Sequence, residues 1–529
     1  MEAPGRLSRL PGPARVALAV PAGALPVFAF PAPGLWWWAY GALVPWLWWA
    51  RGSRGTGQAA AVGWAGGFGY VLAVHRWLWP DLGVFLPVLA LLLGAAWVPF
   101  GVVAHRFGGR AAGLVVVPAA WSVAELARSW QGLGGPWGLL GASQWQVSPA
   151  LRVASVGGVW LVSVLVVAVN CALVSLLLSP SARRTACCAL AAVAAVTGAA
   201  WWWAPRPEPV GVVRVAMVQP GIVTGGSTAD AAERRFAASE RLTASLAGRA
   251  GGAPGLVVWG ESSMGFDPAA RPDLVARLAE LSRRVGAPLL VNVDARAADG
   301  SGIRKSAVLF GPDGEVGPRY DKMRLVPFGE YVPARSVLGW ATSVGKAAGE
   351  NRRPGTEPRW QTLPSGPAAG LRIGPLVCFE SAFPDMTRHL VAGGAALVVV
   401  ASSTSGFQES PAPAQHASLG ALRAAESGRP VVHATLTGIS AAYAADGRRV
   451  GAAVGLSERT VAVRELTLTR GETWYARIGD VVPRASAGLL ALLAGAAAGK
   501  VFGVRRGVVP RSRGRSVRTV RGWPGRRGR

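Results

Sequence analysis

Residues 12–204 run through long apolar stretches separated by short turns rich in arginine, glycine and proline, and the pattern returns once at 485–504. A helix needs about 20 apolar residues to cross the hydrocarbon core of a bilayer. On that measure the chain presents eight spans, near 14–31, 34–50, 58–79, 83–104, 111–129, 153–178, 185–204 and 485–504. Pro21, Pro26, Pro31 and Pro33 interrupt the first two, which membrane helices tolerate when neighbours satisfy the freed carbonyls. Tryptophans gather toward span ends in "LWWWAY", "WLWWA", "HRWLWP" and "WWWAP", the placement of an interfacial aromatic belt. "GGFG" (66–69) follows no strand, so it reads as a small-residue helix contact and not as a phosphate loop.

Residues 205–484 carry a different pattern. Strand-like runs stand at 211–218, 255–262, 287–294, 306–314, 371–380, 395–403 and 430–438, with helix-like segments at 229–249, 271–285, 383–393 and 412–427 between several of them. Strands that are nearly all apolar and alternate with helices predict a sheet covered on both faces. The chain therefore divides into a multi-pass α-helical bundle (1–204), an α/β domain (205–484), a last membrane helix (485–504) and a basic tail (505–529) that reads as disordered.

Composition supports that division. Only 16% of the 529 residues are charged and 51% are hydrophobic, where soluble domains run nearer a quarter charged. The net charge of +27 sits largely in short loops beside apolar segments and in the tail, which favours anionic lipid surfaces over nucleic acid. With the N-terminus cytoplasmic, the inner loops carry Arg6, Arg9, Arg15, Arg51, Arg54, Arg106, Arg110, Arg183 and Arg184. The outer loops then carry Arg76, Arg128 and Arg152. That asymmetry predicts both termini inside and the α/β domain outside. Four cysteines without regular spacing suggest neither a disulfide framework nor a zinc site.

Three polar residues fall at or just after strand-like runs, where α/β enzymes place their chemistry. Glu261 ends "LVVWGE", Lys322 lies in "RYDKMRLVPFGEYVP" and Cys378 ends "GPLVC". A thiol becomes a nucleophile when a base takes its proton or a cation lowers its pKa. A carboxylate can be that base, and a lysine can steady the oxyanion formed on attack. Spacing alone does not bring the three together. His389, His416 and His433 are the histidines outside span ends, and each reads as a packing or surface residue rather than a base for a Cys–His pair.

The strings "VVWGES", "YDKMRLVPFGEYVP" and "LVCFES" resemble the Glu, Lys and Cys motifs of the nitrilase (carbon–nitrogen hydrolase) superfamily. Within an eight-span chain, "KMRLVPFGEYVP" resembles its membrane-bound branch, the apolipoprotein N-acyltransferases, and "GISAAYAADGRRV" (438–450) and "TWYARIGD" (473–480) are similar to that family's late segments. The resemblance implies an α-β-β-α sandwich on the bundle in a bacterial plasma membrane. It implies Cys378 as nucleophile, Glu261 as base and Lys322 as oxyanion stabiliser, supported by Glu330 and Glu380. Two residues apart on an extended strand, Cys378 and Glu380 would face the same side. The implied reaction moves a fatty acyl chain from a phospholipid to the N-terminal amine of a diacylglyceryl-cysteine lipoprotein through a thioester on Cys378, with no metal or organic cofactor. A membrane-tethered amidase, a divergent paralogue and a non-catalytic scaffold are the alternatives. The chain departs from the family pattern at Gly260, where proline is usual, at Phe379, where tyrosine is usual, in 402–408, and in lacking a tryptophan within 218–230.

Overall fold

A computed structural model describes residues 11–178, 180–222, 228–297, 299–339 and 348–506. Arg6, Arg9 and the tail beyond Arg506 lie outside these residues, as does part of the 218–230 segment. Among the described residues, five helical stretches are long and apolar enough to cross a membrane: Gly12–Ala29, Phe85–Phe107, Ser148–Leu178, Pro180–Trp203 and Val481–Ala498. The other three expected spans fall outside that set. Residues 34–50 divide into a 3-10 turn, Trp36–Tyr40, which ends at Gly41, and a helix, Val44–Arg51, which carries Pro45 in its first turn. Thr56–Val74 and Gly113–Arg128 are helices of 19 and 16 residues.

Ring stacking binds the bundle as much as aliphatic packing does. Trp46, Trp97, Trp121 and Phe100 are fully enclosed, and Trp121 meets the other three edge-on at 5.3 to 5.7 Å. The tryptophan clusters therefore split between two environments: Trp46 is core, whereas Trp37, Trp79, Trp202 and Trp203 remain more than half exposed. "GGFG" lies inside Thr56–Val74, where Gly66 and Gly69 are buried against neighbouring segments.

The helical run Ser148–Leu178 breaks at Gly157 and Gly158, which leave helical geometry. Gly158 has a φ of +69°, and a Cβ there would press on the Tyr475 ring at 2.6 Å. After the break, residues 159–178 rise about 30 Å, the thickness of a hydrocarbon core. The break frees the Val159 amide, which donates to Glu426 Oε1 at 2.8 Å. The next residue, Trp160, donates to Asp480 Oδ1 at 2.8 Å, and the Tyr475 hydroxyl donates to the same oxygen at 2.7 Å. A bundle helix is thus tied at its bend to the other domain by polar contacts that leave its apolar length uninterrupted.

The α/β domain contains two sheets. The first comprises β1 (Glu208–Gln219), β2 (Leu256–Trp259), β3 (Leu289–Arg296), β4 (Ile303–Gly311), β5 (Gly314–Glu315), β6 (Tyr320–Asp321) and β12 (Thr460–Arg470), in the order β12-β1-β2-β3-β4-β5 with β6 beside β4. The second runs β11-β10-β9-β8-β7, from β7 (Gln361–Thr362), β8 (Arg372–Val377), β9 (Leu397–Ser402), β10 (Val431–Thr435) and β11 (Ala441–Tyr443). Alternate residues of the first sheet serve two cores, as the pleat dictates. Val215, Met217, Val258 and Leu290 face the second sheet and join Leu376, Val398 and Val400. Ala216, Val218, Trp259 and Leu289 face outward and pack on Phe236 of helix Thr228–Ala244 and Leu274 and Leu278 of helix Pro272–Val285. Helices Pro384–Ala392 and Ala412–Ser427 cover the second sheet. Covering on both sides explains strands without polar alternation.

Candidate active site

The two sheets contribute different parts to one site. From the first, β2 ends at Trp259 and Gly260 leads into Glu261. A Cβ on Gly260 would lie 1.9 Å from the Leu436 amide nitrogen, so the strand end passes closer to the second sheet than any side chain allows. That approach seats Glu261, whose amide donates to Ser402 O at 3.0 Å, the carbonyl that also accepts Leu436 N–H at 2.9 Å. The Glu261 carboxylate is buried and accepts two ammonium groups on Oε1, Lys305 Nζ at 2.8 Å and Lys322 Nζ at 3.3 Å.

Lys322 follows β6 and is 1% exposed. Its ammonium donates to Glu330 Oε1 at 2.8 Å, and Glu330 Oε2 accepts the Val326 amide at 2.8 Å. Glu330 therefore aims the lysine while its own position is fixed by backbone. From the second sheet, β8 ends at Val377 and Cys378 is the first residue beyond it, with a φ of +51°. A left-handed conformation is unfavourable for a residue with a Cβ and clusters at functional sites. The turn Cys378–Ala382 brings the thiol within electrostatic reach of Glu261, and Sγ donates to Ser403 O at 3.9 Å.

Glu380 does not share the thiol's side as an extended strand would have placed it. The strand stops at Val377 and the chain curls into a 3-10 turn, so the period-two argument no longer applies. The Glu380 carboxylate, fully buried, instead accepts the Tyr320 hydroxyl at 2.7 Å and the Met323 amide at 2.7 Å on Oε1, and the Val377 amide at 2.8 Å on Oε2. It bridges the segments that carry Lys322 and Cys378.

Lys305, on β4, is a member of the site that its sequence context does not single out. Beyond Glu261 it pairs with Asp294 Oδ2 and Glu330 Oε1, each at 3.4 Å. The available signal was its register: Lys305 stands opposite Asp294 in the antiparallel β3–β4 pair.

Electrostatics separates the two reacting groups. Burial alone would raise the Glu261 carboxyl, but Lys305 and Lys322 outweigh it and hold the group well below the usual carboxylate range. Burial, then the Glu261 charge, pushes the Cys378 thiol up to about 12, with Lys322 acting against them. At neutral pH the site therefore rests as thiol and carboxylate, with the Lys322 ammonium beside them. His416 lies beneath the turn, not beside the thiol: its Nε2 is 3.0 Å from Cys378 O and its Nδ1 3.2 Å from Ser402 Oγ. Burial lowers its pKa to about 4, so the ring is neutral. His433 stacks on it with ring centroids 4.7 Å apart, and His389 lies in helix Pro384–Ala392.

The departures from the family pattern acquire places. Phe379 stacks edge-on against Phe383 at 5.0 Å. In 402–408, Phe407 meets Trp77 of the bundle edge-on at 5.0 Å, Trp77 lies 5.1 Å from Trp137, and Trp137 donates to Gln415 Oε1 at 3.0 Å. An aromatic chain thus links the bundle to the floor of the site.

Comparison with known proteins agrees with both halves of the chain. Residues 214–476 match the carbon-nitrogen hydrolase family, and residues 22–172 match the apolipoprotein N-acyltransferase N-terminal domain. An apolipoprotein N-acyltransferase from Geobacter metallireducens is 30% identical over 487 residues, covering 88% of this chain and 91% of that protein. One from Nitrosomonas europaea is 30% identical over 498 residues, covering 91% and 95%. Among solved structures, an amidase from Nesterenkonia sp. AN1 with acrylamide added at its active-site cysteine is similar at 19% identity and a TM-score of 0.36, over 51% of this chain and 97% of that one. With relatives this long and this similar, and with each half matched by its own family model, the chain belongs to the apolipoprotein N-acyltransferase family.

Proposed function

We propose that this protein transfers a fatty acyl group from a membrane phospholipid to the N-terminal amine of a diacylglyceryl-cysteine lipoprotein, with Cys378, Glu261 and Lys322 as catalytic residues. The observation that carries the reading is the meeting of a neutral thiol, an ionised carboxylate and a buried ammonium at the junction of two sheets. Cys378 Sγ bonds to the ester carbonyl carbon as its proton passes to Glu261, and the carbonyl electron pair moves to oxygen beside Lys322. Collapse expels the lysophospholipid oxygen, which takes the proton from Glu261 and leaves an acyl-thioester. The acceptor amine then attacks that carbonyl, Glu261 takes the amine proton, and the departing Cys378 sulfur recovers it. Glu330 orients Lys322, and Glu380 holds the turn that presents the thiol. Both substrates lie in the bilayer, which gives the helical bundle its purpose. In this reading the bundle crosses eight times, with both termini cytoplasmic and the sandwich outside the plasma membrane, as the arginine distribution favours.

Intact-mass spectrometry after incubation with phospholipid tests the first half-reaction. The wild type is expected to gain one fatty-acyl mass that hydroxylamine removes, and the folded Cys378→Ala variant to gain none. A diacylglyceryl lipopeptide should then discharge the adduct as an amide. An adduct that discharges only to water would make the protein a hydrolase, and folded wild type without an adduct would sink the mechanism.

A further inference from the structure

Lys322 has two carboxylate partners and one catalytic task, and the geometry divides the work between two lysines. We propose that Lys305 is a positioning residue for the base: it holds Glu261 ionised and in place, which leaves Lys322 free to meet the oxyanion. The inference rests on the proposed roles of Cys378, Glu261 and Lys322.

The distances give the division. Lys305 Nζ is nearer Glu261 Oε1 than Lys322 Nζ is, 2.8 against 3.3 Å, while Lys322 is nearer Glu330, 2.8 against 3.4 Å. Lys305 is also anchored from behind by Asp294, which accepts Ser262 Oγ at 3.1 Å and faces Arg352 at 3.5 Å. Three carboxylates (Glu261, Glu330, Asp294) thus meet Lys305, Lys322 and Arg352 in one cluster. Cys378 and the neutral His416 lie on its other side, and Arg235 faces Asp294 from helix Thr228–Ala244. Remove Lys305 and Glu261 loses the nearer of its two cations while staying buried. A carboxylate so placed takes up a proton more readily, because an opposite charge this close holds a pKa down by about one to three units.

The sign of the expected effect follows. Glu261 acts when deprotonated, so a raised Glu261 pKa moves the acid limb of activity to higher pH. In single-turnover acylation of Cys378, wild type should be flat from pH 8 down to 5. The acid limb of Lys305→Met should stand about one to three pH units above that of wild type, with the two rates converging at pH 8 to 9. Lys305→Arg, which keeps the charge, should restore the flat profile. Asp294→Asn should not raise the limb, because it removes a negative charge; a merely structural defect would lower both variants' rates at every pH. Iodoacetamide alkylation of Cys378, followed by intact mass, reads the thiol–carboxylate pair without any acyl donor. Wild type that forms no acyl adduct refutes the proposed function. A Lys305→Met alkylation profile that still moves to higher pH would nevertheless support the role of Lys305. A profile for Lys305→Met parallel to wild type, in acylation or in alkylation, overturns it. Should Lys305→Met fail to fold, the Lys305→Gln variant carries the same test, with the same two outcomes.

Discussion

Among the described residues of the sandwich, the buried ionic clusters around Glu261 and Glu426 hold their carboxylates in opposite ways. Around Glu261, two ammonium groups converge on one carboxylate and hold its pKa down, and its charge helps push the Cys378 thiol up. Around Glu426, burial wins: with Arg423 at 2.7 Å as its only close cation, the carboxyl is pushed up to about 7. Its oxygens are consumed by structure, one by the Arg423 guanidinium and the other by the Val159 amide at the bend of the bundle helix. Arg423 in turn donates to the Ser381 and Ala382 carbonyls at 3.2 and 2.8 Å, on the turn that follows the thiol. Buried charge by itself does not mark an active site. What distinguishes the first cluster is a pair of ammonium groups on one carboxylate with a thiol beside them.

The contrast can be broken experimentally. The largest effect is expected at Cys378: Cys378→Ala should abolish acyl transfer while the unfolding midpoint moves little, because a small, partly buried side chain is replaced by another of similar size. Arg423→Met should do the reverse. Breaking one side of a buried pair costs about 3 to 5 kcal/mol, seen as a large fall in unfolding midpoint, while material that remains folded keeps its Cys378 acylation rate. Glu330→Gln sits between the two extremes. The neutral amide no longer draws Lys322 away from Glu261, and kcat should fall about ten- to a hundred-fold with little change in KM.

The smallest effect sharpens the comparison by pH. A carboxyl raised in the folded state contributes stability that is complete below its unfolded pKa, near 4.3, and is lost as pH rises to about 7. Wild type should therefore lose stability modestly between pH 4.5 and 7 on account of Glu426, and Glu426→Gln should flatten that slope without moving the activity profile. Glu261, with its pKa depressed, acts with the opposite sign: its contribution is present above the unfolded value and is lost only in strong acid.

The central strands and all four long helices of the sandwich were legible because both faces of each sheet are covered, so apolar runs and amphipathic helices mark them directly. The edge strands β6, β7, β11 and β12 were not, being short or interleaved with arginine and glutamate, as in "TVAVRELTLTR". Glu261, Lys322 and Cys378 stood out within long motif strings, and their meeting is visible only in three dimensions. Lys305 lay hidden in "GIRKSAVLF", where a charge at a strand start reads as solvated, although it pairs across 44 positions with Glu261. Glu380 was misplaced for a local reason, the strand ending at Val377, three residues short of it. The bend at Gly157–Gly158 was equally hidden, since two glycines in an apolar run do not announce that a carboxylate waits 267 positions away.

Gly260 bears on how tolerance to mutation should be read. It contributes no proton, charge or hydrogen-bonding side chain, yet the space where any side chain would start is already occupied by the Leu436 amide. A saturation scan of this gene would show position 260 as blank as position 378, with alanine, the mildest replacement, rejected along with the rest. Such a column would record a shortage of room between two sheets, and a reader ranking positions by intolerance alone would count as chemistry what is only clearance.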